Sequence, residues 1–224
     1  MQRRTPFSPE EYYHIYTRGV EKRKIFLDKK DYDRFIALLY IMNQSNNFVF
    51  RDFLRTKKLP EIFNESQEFP IVSVLAYCLM PNHFHIILLE HEEGGISKFM
   101  SKVLTSYSMY FNLKYERSGS LFMHPFRSKH IDNQSHYLYI YSYIHLNPIS
   151  LIESDWKEVG IRNYKKAEKF LDNYLYSSYL DFKKEGRKES KILDFSKAPY
   201  YLRGKENLSD YIRSFSEFTE DYPL

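Results

Sequence analysis

Apolar and polar residues alternate from Tyr12 to Thr17, and the aromatic and β-branched content of that stretch predicts a first strand closed by Arg18-Gly19. Period two then gives way to a helical period. Asp28 reads as a cap, and Tyr32, Phe35, Ile36, Leu38, Leu39 and Met42 recur on one side of an amphipathic helix over roughly 29–43, ended by the polar run 43–47. Residues 44–69 carry mixed charge, Pro60 and no clean period, so a long, partly mobile connection with a short helix near Phe50–Leu54 is expected. Ile71–Leu79 and His83–Glu90 are nearly continuous apolar runs joined by Met80-Pro81-Asn82, which predicts an antiparallel hairpin of two central strands.

Gly94-Gly95 interrupts the pattern, after which Ile96, Phe99, Met100, Val103, Leu104, Tyr107, Tyr110, Phe111 and Tyr115 trace the longest helix. Lys98, Lys102, Lys114 and Arg117 lie along it. A fourth strand is predicted at Arg127–Ile131, with Arg127 and Lys129 on one face. Asp132-Asn133 then supplies a cap for a helix from Ser135 to Leu146, which stops before Asn147-Pro148 because proline disfavours helix in the residue preceding it. Beyond, the signal weakens to one helix within Trp156–Tyr179, a charged solvated stretch from Lys183 to Lys191, and a terminal helix over Leu208–Phe218.

The order β-α-β-β-α-β predicts an α+β fold, a ferredoxin-like antiparallel sheet with an added helix and a C-terminal helical extension. Residues 1–150 are expected to form the main domain, with 151–224 packed on it as the extension.

Composition narrows the setting more than the function. A chain of 224 residues suits one large domain, and the single cysteine, Cys78, sits in an apolar run as a small core residue, so a reducing compartment is expected. The opening Met1–Pro6 lacks an apolar segment and no apolar run reaches membrane-spanning length, so neither a signal peptide nor a membrane helix is expected, and the cytoplasm is the expected location. A net charge of +4 argues only weakly for nucleic acid. The aromatic content of 18% is more telling, because rings beside basic side chains suit base stacking along a phosphate-binding groove, although most must form core.

Candidate chemistry begins at Pro81-Asn82-His83-Phe84-His85. On a strand His83 and His85 project to one face, close enough to share one ion or one phosphate, while Phe84 enters the core. A pair at this spacing also arises as ordinary surface histidines, so the rest of the chain decides. On the helix from Ser135, Tyr139, Tyr143 and Asn147 are spaced by four and share a face. Any single one of its tyrosines reads first as packing on the sheet, and only the combination points to chemistry. Two imidazoles and an amide oxygen could hold a divalent ion that keeps positions open for phosphate oxygens, and a phenol beside it is a candidate nucleophile.

Several motifs together carry a family resemblance. They are Tyr13-His14-Ile15 with Arg18-Gly19, then Ile25-Phe26-Leu27-Asp28 with Asp31, Tyr32, Arg34 and Phe35, and the run from Ala76-Tyr77-Cys78 through Met80-Pro81-Asn82-His83-Phe84-His85. Further on come Ser118-Gly119, Leu121-Phe122, Phe126-Arg127-Ser128, Tyr143-Ile144-His145-Leu146-Asn147-Pro148 and Ser177-Ser178-Tyr179. Over about residues 12–180 the chain resembles the HUH single-tyrosine transposases of minimal insertion sequences, particularly their REP-associated tyrosine transposase branch. The resemblance implies His83 and His85 as metal ligands, Tyr143 as nucleophile and Asn147 as third ligand, where relatives carry glutamine. It implies a divalent metal, Mg²⁺ or Mn²⁺, as cofactor and single-stranded hairpin DNA as partner, cut and rejoined through a 5′-phosphotyrosine intermediate. Arg18, Lys98, Lys102, Arg127 and Lys129 are assigned to nucleic-acid contact. Whether Tyr143 serves its own histidines or those of a second subunit in a homodimer stays open at this point. The connection at 44–69 is longer than the family's, and Trp156–Tyr179 keeps only part of its tryptophan-and-serine pattern.

Other readings explain less. A histidine-triad hydrolase needs a histidine at position 87, which is Ile, and a two-histidine phosphoesterase needs a second H-x-T/S motif. A ferredoxin-like RNA-binding module would leave His83, His85, Tyr143 and Asn147 with no shared task; a domesticated transposase that binds hairpin DNA or RNA without cutting it would keep the fold but need not keep all four residues, and all four are present.

Overall fold

A computed structural model of the chain describes residues 7–183, 185–198 and 208–218; the opening segment read for a leader lies outside them. Its strands are β1 (Tyr12–Arg18), β2 (Val72–Met80), β3 (His83–Glu90) and β4 (Arg127–Ile131), all antiparallel in the order β2-β3-β1-β4. Helices α1 (Lys29–Ile41) and α3 (Gly95–Lys114) form the two crossovers of the expected ferredoxin-like α+β sheet. Their apolar residues join Tyr13, Ile15, Phe84, Ile86 and Leu88 in a core on one face of the sheet. Helix α4 (Gln134–Leu146) covers the opposite face, against Cys78, Met80, Ile87 and Leu89.

Local chemistry sets these boundaries. Asp28 caps α1 reciprocally with Asp31, each side chain accepting from the other's backbone N–H. The Gly94-Gly95 pair does more than break the chain. Gly94 takes a left-handed conformation at φ 85°, and a Cβ on Gly95 would lie 2.6 Å from the Ile71 carbonyl oxygen, so α3 starts flush against the β2 entrance. Asn133 caps α4 by accepting from the His136 N–H.

Three expectations are corrected. Residues 44–69 hold more than the expected short helix, which is present as α2 (Phe50–Thr56): with a 3₁₀ turn over Leu59–Asn64 it buries Phe50, Phe53, Ile62 and Phe63 beside α1. Phe50 and Phe53 are one helical turn apart, but Ile62 and Phe63 follow only after a charged stretch and Pro60, so no single period links the two pairs. Second, β2 is an edge strand, not a central one, although all nine of its residues are buried. The C-terminal extension covers its open edge, where Ser178 N–H donates to the Tyr77 carbonyl, Leu79 N–H to the Tyr176 carbonyl and Asp194 N–H to the Val74 carbonyl, each at 2.9 Å. Unpaired edge groups are thus satisfied by a segment whose period gives no hint of it. Third, Trp156–Tyr179 holds two short helices, α5 (Trp156–Val159) and α6 (Tyr164–Leu171), and Tyr179 opens α7 (Tyr179–Lys183).

The last helix, α8 (Leu208–Phe218), packs on α4 through Tyr211 and Phe215. His145 of α4 hydrogen-bonds Ser178 at 2.8 Å, and the Ser178 hydroxyl oxygen accepts from the Tyr77 N–H, so the same serine joins helix, extension and sheet.

Candidate active site

The sheet face under α4 is where the chemistry collects. Pleating from His83 sends His83 and His85 to this face, and β-pairing places Arg18 opposite His83 and Tyr16 opposite His85. On the other side of β1, Arg127 lies opposite Tyr16 and Lys129 opposite His14. A cleft of about 500 Å³ opens beside the pair, with Arg18, Lys22, His83, His85, His124 and Arg127 among its walls. It therefore offers cations around two imidazoles.

The hydrogen bonds orient both rings. His83 Nδ1 lies 2.6 Å from Asn82 Oδ1, and an amide oxygen only accepts, so Nδ1 carries the proton and Nε2 keeps its lone pair. His85 Nδ1 lies 2.8 Å from His14 Nε2, and His85 Nε2 lies 3.4 Å from the Tyr143 hydroxyl. With the His85 proton on Nδ1, donated to His14, its Nε2 lone pair faces the phenol. Lys157 Nζ donates to that same phenol oxygen at 3.2 Å. The line His14, His85, Tyr143, Lys157 thus joins β1, β3, α4 and α5 within one chain.

The description "Transposase IS200 like" matches residues 9–147. The chain belongs to the IS200-like transposase family. This is a family of DNA-processing enzymes, generally metal-dependent. A solved structure described as "Structure of the REP associates tyrosine transposase bound to a REP hairpin" is similar at 11% identity and a TM-score of 0.47, over 93% of each chain. No curated protein sequence matches this transposase.

Burial tunes the site. It lowers His83 to about 4, with the nearby Lys157 charge acting in the same direction, and lowers His14 to about 3. His85 is lowered well below its ordinary range by burial and by His14, His83 and Lys157. At neutral pH the imidazoles are free bases, the form that binds a cation. Burial raises the Tyr143 phenol, so the nucleophile candidate is held protonated unless a neighbour stabilises its anion.

The donor set fits a cation narrowly. Among the described residues no group of three His, Cys, Asp or Glu side chains is gathered for a metal, so His83 and His85 need a further donor. Asn147 is buried at 1% exposure and interacts with both the His83 imidazole and the Tyr143 hydroxyl, yet its Nδ2 closes no hydrogen bond of good geometry. A buried amide with spare capacity beside two imidazoles can turn its oxygen to an ion, and this N,N,O set suits a divalent ion with open positions.

The transposase brings only part of the sequence-assigned set together. Arg18, Arg127 and Lys129 share the face of His83 and His85, and all three are exposed. Lys98 and Lys102 lie on α3, behind the sheet, where Lys102 Nζ donates to the Gln44 and Asn46 carbonyls at 2.7 and 2.8 Å. Its helical period marked it as solvent-facing; only packing shows what it holds. Of the other α4 tyrosines, Tyr139 stacks on Phe215 at 5.2 Å and Tyr141 meets His145 edge-on at 4.4 Å. Phe215 also stacks on Tyr143, at 6.4 Å.

Two residues escaped the sequence reading. His14 alternates in phase with Tyr16, but only the register of β1 against β3 brings it to His85. Lys157 lies in the region of weakest pattern, and no sequence signal marks it.

The buried histidines make the fold acid-labile. His14 and His145 are both lowered by burial to about 3 and His83 to about 4, against an ordinary 6.5. Between those values the unfolded chain binds more protons than the folded one, so stability present above pH 6.5 drains away as pH falls towards 3–4. Urea midpoints measured from pH 8 to 4 are expected to drop steadily below about pH 6.5, and a flat profile would contradict the burial of these rings.

Proposed function

We propose that this chain is a metal-dependent single-stranded DNA transposase of the HUH type, of the REP-associated branch, acting on hairpin-forming DNA in the cytoplasm. The observation that carries the reading is the Tyr143 hydroxyl 3.4 Å from His85 Nε2, with His83 and Asn147 beside it, all in one chain. Cleavage then needs no tyrosine from a second subunit. Residues 1–150 serve as the catalytic domain, and 151–224 as an extension packed on it that closes the β2 edge and supplies Lys157.

Bound by His83, His85 and Asn147, Mg²⁺ or Mn²⁺ would polarise the scissile phosphodiester as a Lewis acid. The chain does the rest. Arg18, Arg127 and Lys129 hold backbone phosphates across the sheet face, and the rigid strand and helix fix Tyr143 for in-line attack on phosphorus. The tyrosyl oxygen takes the 5′-phosphate and a 3′-hydroxyl departs, so the energy of the broken bond is kept for rejoining.

Incubated with hairpin-bearing single-stranded DNA and Mn²⁺, without any nucleotide cofactor, the protein is expected to give a covalent adduct and a free 3′-hydroxyl end. Hydrolysis without an adduct would overturn the mechanism, and binding without cleavage would favour a non-catalytic hairpin-binding protein. Arg127→Ala should weaken hairpin affinity and shrink the slope of log K against log salt by about 0.7–0.9, the value of one phosphate contact. Titrations from 50 to 300 mM KCl check this, and an unchanged slope removes Arg127 from the interface.

A further inference from the structure

Lys157 is half-buried and, among the described residues, makes no salt bridge, in a position that its surroundings fix closely. Its neighbour Trp156 is anchored twice, donating from Nε1 to Ser150 Oγ at 2.8 Å and packing on Phe215 at 4.9 Å between ring centroids. Glu153 accepts from the Arg162 and Asn163 N–H groups at 2.8 and 3.3 Å, and Arg162 pairs with Asp155, which clamps the loop on both sides of α5. Out of this clamp Lys157 reaches over the Tyr143 ring, its Nζ 4.6 Å from the ring centroid and 3.2 Å from the phenol oxygen. Among the described residues it forms no ion pair with an acid, so its charge is directed at the phenol. It lies outside residues 9–147, the part of the chain that carries the family match.

We propose that Lys157 is a catalytic residue whose ammonium stabilises negative charge on the Tyr143 oxygen during both cleavage and rejoining. This rests on the transposase reading above. In cleavage, the Tyr143 O–P bond forms and the P–O3′ bond breaks; the phenol proton passes to solvent and the departing 3′-oxygen takes a proton from water. In rejoining, the 3′-hydroxyl attacks phosphorus, loses its proton to water, and the tyrosyl oxygen leaves and is reprotonated. In both directions the tyrosyl oxygen carries anionic charge part-way, and an ammonium already hydrogen-bonded to it needs no rearrangement to meet that charge. That contact, Nζ to phenol oxygen at 3.2 Å, becomes a charge-assisted hydrogen bond as the oxygen turns anionic, and such bonds are roughly twice as strong as neutral ones.

The test compares wild type, Lys157→Met and Lys157→Arg in single-turnover cleavage of saturating hairpin DNA with Mn²⁺, and in rejoining of the isolated adduct with a 3′-hydroxyl oligonucleotide. Methionine keeps most of the stem over the ring, so folding and hairpin affinity, followed by thermal melting and fluorescence anisotropy, should stay near wild type. Both chemical rates should fall about 100-fold, and arginine should recover most of the loss. The decisive arm places 2,3,5-trifluorotyrosine at position 143. A phenol that ionises more readily should restore cleavage in Lys157→Met at least about tenfold while changing the lysine-bearing protein little, since a group that only supports packing is not replaced by an acidic phenol. Wild-type rates in Lys157→Met, or a loss that neither arginine nor the fluorinated tyrosine relieves, overturn the inference. Absence of any adduct from the wild type overturns the transposase reading instead, so the two failures are distinct.

Discussion

Tyr143→Phe abolishes the covalent DNA adduct and slows strand cleavage by on the order of 10⁴–10⁶-fold, the range found when a nucleophile is removed from a preorganised site. The substitution deletes one oxygen. The ring keeps its packing against Phe215 and its place under the Lys157 ammonium, so the fold changes little. The lost hydroxyl leaves His85 Nε2 and Lys157 Nζ without their common partner, a cost of about 1–3 kcal/mol in stability. Hairpin affinity should hold within about threefold, because Arg18, Arg127 and Lys129 contribute the electrostatic attraction. Tyr139→Phe and Tyr141→Phe serve as controls and should still form adduct, since their rings lie against Phe215 and His145. Peptide mass spectrometry of the wild-type adduct decides between them; phosphotyrosine at any position other than 143 removes it from the role.

His83→Ala comes second in size. Cleavage in Mn²⁺ should fall by about 10³-fold or more, since Lewis-acid stabilisation is worth several kcal/mol, and Mn²⁺ affinity measured by calorimetry or by EPR of the free ion should collapse in parallel. His83 is the better probe of the two histidines. It opens β3 at the cleft and is half-buried, held by the adjacent Asn82 and by Asn147, whereas His85 is buried between His14 and Tyr143 and its loss would also disturb packing. Hairpin binding in EDTA should be nearly unchanged in His83→Ala. Should the variant bind Mn²⁺ as tightly as wild type, the ion sits elsewhere.

The amino-acid sequence alone determined the strand and helix order, the capping of the first crossover helix by Asp28, the strand that starts at His83, and the common phase of Tyr143 and Asn147. Each is written within a span of about ten residues: period two puts His83 and His85 on one face, and spacing by four stacks Tyr143 over Asn147. Local patterns of this kind survive without knowledge of what lies opposite. Tertiary structure alone decided how those faces meet. That β1 pairs with β3 brings His14 to the back of His85 across a separation of 71 in the chain, and alternation within one strand carries no record of its neighbour. That β2 lies at an edge and is nonetheless buried depends on backbone groups of Tyr176, Ser178 and Asp194, whose side chains do not signal it. That Lys98 and Lys102 lie on the far side of the sheet from His83 and His85 was likewise left to tertiary structure, because a helical period reports which residues face outward, not toward which surface. Lys157 was invisible for the same reason in stronger form: a four-residue helix is too short to show a period, and the residue's meaning comes wholly from the phenol oxygen it meets.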